Sequence, residues 1–96
     1  MGAQGDRRMW YVYFLQLANS YIYVGSTNDL KLRVALHGGG RVKSTQSHLP
    51  VKLRAYVAVE TETQARGLEH YFKSGSGKAI AKKRFLTTPN ASDLRT

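Results

Sequence analysis

The chain has 96 residues, 42% of them hydrophobic, which suits one compact domain with a modest core and excludes two. It has no cysteine, so a disulfide scaffold, a thiol nucleophile and any cysteine-ligated zinc or iron–sulfur site are excluded. Lys and Arg number 15 against 6 Asp and Glu, a formal charge of +9. On so small a domain this field attracts polyanions, nucleic acid first and an acidic membrane surface second. A membrane-surface protein would need an amphipathic helix with a broad apolar face, and none stands out. The longest apolar stretch, Met9 to Leu15, is too short for a signal peptide or a bilayer span. The expectation is a soluble cytoplasmic protein that binds nucleic acid; a merely basic soluble protein is the plainer alternative.

Trp10 to Leu17 is rich in aromatic and β-branched residues and predicts a strand. Ala18-Asn19-Ser20 reads as a turn and Tyr21 to Gly25 as a second strand, together a β-hairpin. Ser26 to Asp29 offers N-caps for a helix over Leu30 to His37. Gly38-Gly39-Gly40 stops that helix, because glycine accepts the left-handed conformation without steric cost. Arg41 to Pro50 reads as a polar, basic loop, and Val51 to Glu60, which alternates in part, as a third strand. Thr61 with Gln64 makes a capping box for a helix running to Lys73. Ser74 to Gly77 reads as a break, followed by a short basic helix over Lys78 to Phe85. The β-β-α-β-α-α order implies a small α/β (α+β) domain with a three-stranded, mainly antiparallel sheet packed by helices. The domain is expected over residues 9–86, with flexible termini at 1–8 and 87–96.

Three groups of residues carry candidate chemistry. With Ala18 to Ser20 as the turn, Leu15 faces Tyr23 and Tyr13 faces Gly25. The two phenols of Tyr13 and Tyr23 then border a space that Gly25 leaves open; aromatic filler on a half-buried sheet is the plain reading. Arg33 and His37 are one helical turn apart on one face. Arginine clamps phosphate with its planar fork, and histidine passes a proton near neutral pH; a solvated surface pair is the plain reading. Glu69 falls inside or beside the apolar stripe of Ala65, Leu68 and Phe72. An inward carboxylate needs a positive partner, either a basic side chain such as Arg33 or a hard divalent cation. His48 and His70 lack metal-ligand spacing. Arg41, Lys43, Lys73, Lys78, Lys82, Lys83 and Arg84 are candidate nucleic-acid contacts, and a solvated face is their plain reading.

Together these pieces resemble one family, the GIY-YIG nuclease domain in its small stand-alone bacterial form. Tyr11-Val12-Tyr13 resembles the first signature and Tyr23-Val24-Gly25 the second. The segment from Tyr23 to His37 is similar to the family's strand-to-helix pattern, as are the later Leu68-Glu69 and Lys82-Lys83-Arg84-Phe85. The ordered set of two tyrosines, Arg, His and Glu is the specific part. The resemblance implies a metal-dependent endonuclease that hydrolyses DNA phosphodiester bonds with one Mg2+ (or Mn2+), leaving a 5′-phosphate and a 3′-hydroxyl. It implies that Glu69 holds the metal and Arg33 clamps the phosphate. Tyr13 would activate the attacking water as a phenolate-like base, favoured by nearby positive charge. Tyr23 would position water or phosphate, and His37 would assist Tyr13. A structure- or single-strand-directed role in DNA repair, recombination or processing follows, with a protein partner open. The chain departs from the pattern twice: Tyr11 stands where the family name has glycine, and Ala81 stands where many members carry an Asn, a role Lys82 would have to take. A nucleic-acid-binding module that keeps the fold without cutting, or a basic RNA-associated structural protein, are the competing readings.

Overall fold

A continuous run of large apolar side chains, buried on both faces, makes β1 the central strand of the sheet. A computed structural model of the chain describes residues 9–86; the termini 1–8 and 87–96, expected to be flexible, lie outside the described residues. In chain order the elements are β1 (Trp10–Gln16), β2 (Ile22–Thr27), α1 (Leu30–Gly38), a 3-10 turn (Gln46–His48), β3 (Lys52–Val59), α2 (Glu62–Lys73) and α3 (Gly75–Arg84). The sheet order is β2-β1-β3 and both pairings are antiparallel. Val12 to Leu15 in β1 are buried on both sides. One sheet face, with Val12, Phe14 and Val24, packs on Ala65, Phe72 and Ala81 of α2 and α3. The other, with Tyr13 and Leu15, packs on Leu30 and Val34 of α1. The sheet is therefore the middle layer between α1 and the α2–α3 pair.

The hairpin has the expected register, Tyr13 opposite Gly25 and Leu15 opposite Tyr23. Its turn closes through Leu17 N–H to Tyr21 O at 2.9 Å, with Ser20 in the left-handed region at φ 72°. The partial alternation of the third strand has a local cause. The β1–β3 register shifts between Phe14, paired with Ala55, and Leu15, paired with Leu53, so Arg54 stands in a bulge. Its guanidinium donates to Gln16 Oε1 and Leu86 O, each at 2.8 Å, tying the end of α3 to the sheet.

Asp29 caps α1 by accepting from Leu32 N–H at 3.1 Å. Gly38, expected to stop the helix, is its last residue, and of the two glycines that follow Gly40 takes the left-handed conformation, at φ 75°. The capping box at Thr61 and Gln64 forms as the spacing predicts. The expected break at Ser74 to Gly77 is corrected: only Ser74 lies outside a helix, and Gly75 to Gly77 are the first turn of α3. Ser74 Oγ accepts from Gly77 N–H at 3.2 Å, so one capping residue turns the chain from α2 into α3. Gly77 serves close approach there. A Cβ on it would overlap the Tyr71 carbonyl and stand 2.8 Å from the Phe72 Cα. No helix among the described residues is long and apolar enough to cross a membrane.

Two glycine substitutions should act in opposite directions. Gly67→Ala, inside α2 with nothing near a new Cβ, should raise stability by about 1 kcal/mol through helix propensity. Gly77→Ala should lower it by about 1–3 kcal/mol through overpacking against backbone. Urea unfolding midpoints at constant slope check both signs.

Candidate active site

Tyr13 projects from β1 toward the α1 layer and is 1% exposed. The open space expected above Gly25 is absent, because the phenol itself fills it. A Cβ on Gly25 would overlap the Tyr13 hydroxyl and stand 2.6 Å from its Cζ. Glycine at this position lets the ring of a central-strand tyrosine cross the neighbouring strand. Since β2 is outermost in the sheet, the hydroxyl is carried to the sheet edge. There it meets His37 Nε2 at 3.0 Å. His37, from the last turn of α1, has no solvent exposure, and its Nδ1 lies 2.8 Å from Thr45 Oγ1, also fully buried. The Tyr23 ring completes the cluster, 6.3 Å from the Tyr13 ring and 5.1 Å from that of His37. Thr45 went unread in the sequence, where it is one polar residue in a basic loop. The available hint was the need of a buried imidazole for a partner at each nitrogen.

Burial, reinforced by the Arg33 guanidinium, lowers the His37 pKa from the ordinary 6.5 to about 4. The ring is therefore neutral at pH 7, with one N–H and one bare nitrogen, and the Tyr13–His37–Thr45 chain satisfies both. For Tyr13 the expected lowering of the pKa by positive charge is corrected. Burial pushes the phenol up, and the Arg33 guanidinium beside it offsets only part of that rise. Arg33, half-buried one turn before His37, thus acts electrostatically on both Tyr13 and His37.

Glu69 reaches the same place from the other sheet face. Its Oε1 accepts from Ser26 Oγ at 2.6 Å and its Oε2 from Lys73 Nζ at 2.8 Å. Its basic partner is therefore Lys73, one turn along α2, and not Arg33. Burial alone would raise the Glu69 pKa, but the bonds from Lys73 and Ser26 hold it below the ordinary carboxylate value. Ser26 directly follows Gly25, so the carboxylate and the Tyr13 phenol approach each other around the β2 edge, and the Glu69 charge adds to the upward push on Tyr13. All five side chains predicted for the site, Tyr13, Tyr23, Arg33, His37 and Glu69, gather at this edge.

Among the described residues no three His, Asp or Glu converge as a metal cage. A divalent cation here would rest on Glu69 with water and substrate oxygens for the remainder. That suits Mg2+, which keeps several waters and takes one or two carboxylates. Glu69 is anionic at neutral pH, and the two bonds leave it further acceptor capacity.

The predicted basic contacts divide into separate groups. Arg41 and Lys43 are exposed on the loop that brings Thr45 to His37. Lys73 is engaged by Glu69. Lys78, Lys82, Lys83 and Arg84 are exposed on α3, in the opposite layer, with Lys78 Nζ 5.5 Å from the centre of the Tyr21 ring. Ala81 is 3% exposed in the core beneath Phe14 and Phe72. It is a packing residue on the α3 side and leaves no gap in the Tyr13 cluster.

Residues 9–84 match the GIY-YIG catalytic domain. The chain is 41% identical over 64 residues to a UPF0213 protein of Lactococcus lactis subsp. cremoris, covering 66% of this chain and 65% of that one. To a UPF0213 protein of Bacillus licheniformis it is 36% identical over 69 residues, 71% of each chain. The match thus spans a little under two thirds of the length of the Lactococcus relatives. The solution NMR structure of a UPF0213 protein from Bacillus halodurans superposes with a TM-score of 0.53 at 25% identity, over 92% of this chain and 94% of that one. The chain belongs to the GIY-YIG family, a family of nucleases whose substrate is nucleic acid. Within it, the chain is similar to the small bacterial UPF0213 proteins.

The buried imidazole makes stability depend on pH. The unfolded chain takes up a proton on this ring near pH 6.5 and the folded chain only near 4. Stability should therefore rise with pH across that window. The His37 ring protons followed by NMR should titrate near 4, and Tm should fall on acidification from 6.5 to 4. A His37→Gln variant should lose that part of the slope.

Proposed function

We propose that this chain is a divalent-metal-dependent endonuclease that hydrolyses DNA phosphodiester bonds, directed by strand structure more than by base sequence. One observation carries the reading. Two phenols, a guanidinium and an imidazole on one sheet face meet an anionic carboxylate from the other at the β2 edge.

Glu69 would hold Mg2+, which when bound supplies a Lewis acid and a template for the phosphate. Arg33 stabilises the negative charge that grows on the non-bridging oxygens as the pentacovalent state forms. Tyr23 orients the phosphate against the Tyr13–His37 pair. Tyr13, kept protonated by burial, orients the attacking water through its hydroxyl. As the water attacks phosphorus, its proton passes to the Tyr13 oxygen and the Tyr13 proton to His37 Nε2, while the P–O3′ bond breaks and the departing 3′-oxygen takes a proton from solvent water. Thr45 fixes the tautomer by accepting from Nδ1–H, which leaves Nε2 free to accept. A relay of this kind needs no standing phenolate, in keeping with the raised pKa of Tyr13. The negative charge of a bound phosphodiester raises the pKa of the neutral imidazole and readies it for that proton.

Nicking of end-labelled single-stranded, duplex, flap and junction DNA with Mg2+ or Mn2+ tests the reading. Glu69→Ala should abolish metal-dependent cutting and retain binding measured in EDTA. Arg33→Ala should slow cutting by about 10²–10³-fold. Equal cutting by the Glu69 variant removes the metal assignment. Binding without cleavage of any substrate leaves the non-cutting module as the function.

A further inference from the structure

We propose that the groove between the hairpin tip and α3 is a slot for one unpaired nucleobase, separate from the cutting site. The nature of its ligand rests on the nucleic-acid reading above. The groove's apolar floor lies over the core residues Phe14, Phe72 and Ala81, each 6% exposed or less, and its accessible apolar wall is the half-buried Ile22 and Leu86. The rim carries Tyr21, Lys78 and Lys82, and among the described residues no acidic side chain lines the groove. Its volume is about 160 Å³. A dry apolar cavity of ~150 Å³ accepts a benzene ring, so the groove has room for one planar heterocycle and no more.

Chemistry selects that occupant. An apolar floor favours a ring over an ion. A cationic rim favours a ring that carries phosphate. Tyr21, the last residue before β2, is an aromatic residue that is nevertheless 56% exposed. Its ring already holds a cation, the Lys78 ammonium at 5.5 Å. Aromatic surface beside mobile positive charge is the arrangement by which single strands are held, bases on rings and phosphates on lysines. A base paired in a duplex cannot enter such a slot without leaving its stack.

Position adds a second argument. The groove opens on the sheet face that Glu69 occupies, and Phe72 stands one turn beyond Glu69 on α2. Tyr21 directly precedes the edge strand and Ser26 lies near its far end, five residues on, or about 17 Å at ~3.4 Å per residue. A strand laid along β2 from the cutting site would reach the slot about five stacked nucleotides away, at ~3.4 Å each. The slot would then favour substrates with an unpaired base at that distance from the cut.

Fluorescence anisotropy of the full chain in EDTA tests the slot, with a labelled single strand, the same strand in a duplex, and an abasic strand of equal length. Tyr21→Ala should weaken single-strand binding by about tenfold or more, and duplex binding by no more than about twofold, the range set by loss of one base stack. Tyr21→Phe should bind like the unaltered chain. The unaltered chain should bind the abasic strand as weakly as Tyr21→Ala binds the normal one. Lys78→Ala should reduce the salt slope by about one. Equal losses on single strand and duplex, or no loss, overturn the slot while cleavage at Glu69 stands. A chain that binds none of the three overturns slot and nuclease alike. Self-association abolished by Tyr21→Ala, read by sedimentation, would assign the groove to a second copy and overturn the slot.

Discussion

The arrangement of this molecule depends on one steric allowance: the Tyr13 ring lies across Gly25 and reaches His37. A side chain on the edge strand at that point would fill the volume the phenol occupies. Without the crossing, Tyr13 would remain an interior residue of the central strand, and His37 would be a buried imidazole with a nitrogen unpartnered. Neither is stable as it stands, since buried polar groups without partners are costly. The glycine, the phenol, the imidazole and Thr45 are therefore one unit, and in it each buried polar atom is satisfied.

Burial does more here than positive charge. With a formal charge of +9, the simple expectation is an acidic phenol. Yet the environment around Tyr13 is low in water, and the desolvation of a phenolate outweighs the guanidinium nearby. Glu69 is the opposite case: partly exposed and held by two donors, it stays ionised despite the pull of burial. The site thus pairs a protonated phenol and a neutral imidazole, beside the Arg33 guanidinium on the α1 side, with an ionised carboxylate at the α2 surface.

Much of this was readable from residue order. The Ala18–Ser20 turn sets the hairpin register, and the register sets Tyr13 against Gly25 and Leu15 against Tyr23. Glu69 stands out because a carboxylate beside an apolar stripe needs explaining, but the basic partner read for it, Arg33, gives way to Lys73 one turn along α2. What spacing along the chain does not carry is the direction a ring leans. Gly25 reads equally as open space or as the bed of a neighbouring phenol, and only three-dimensional packing decides. Ser26 and Thr45 were hidden for a related reason: a hydroxyl in a loop or at a strand end is common, and its partner lies 43 or 8 residues away. The glycines at 75 and 77 read as a break because propensity weighs against helix. Ser74 capping and the tight approach to Tyr71 prevail over propensity.

The two halves of the site belong to different hydrophobic clusters, one under α1 and one under α2 and α3. Neither cluster alone contains the chemistry. A chain emerging from synthesis, or one opened locally by heat, that has formed a single layer holds an incomplete set of groups. If the chain cuts as proposed, that capacity would be withheld from every partly folded form and granted to the finished one.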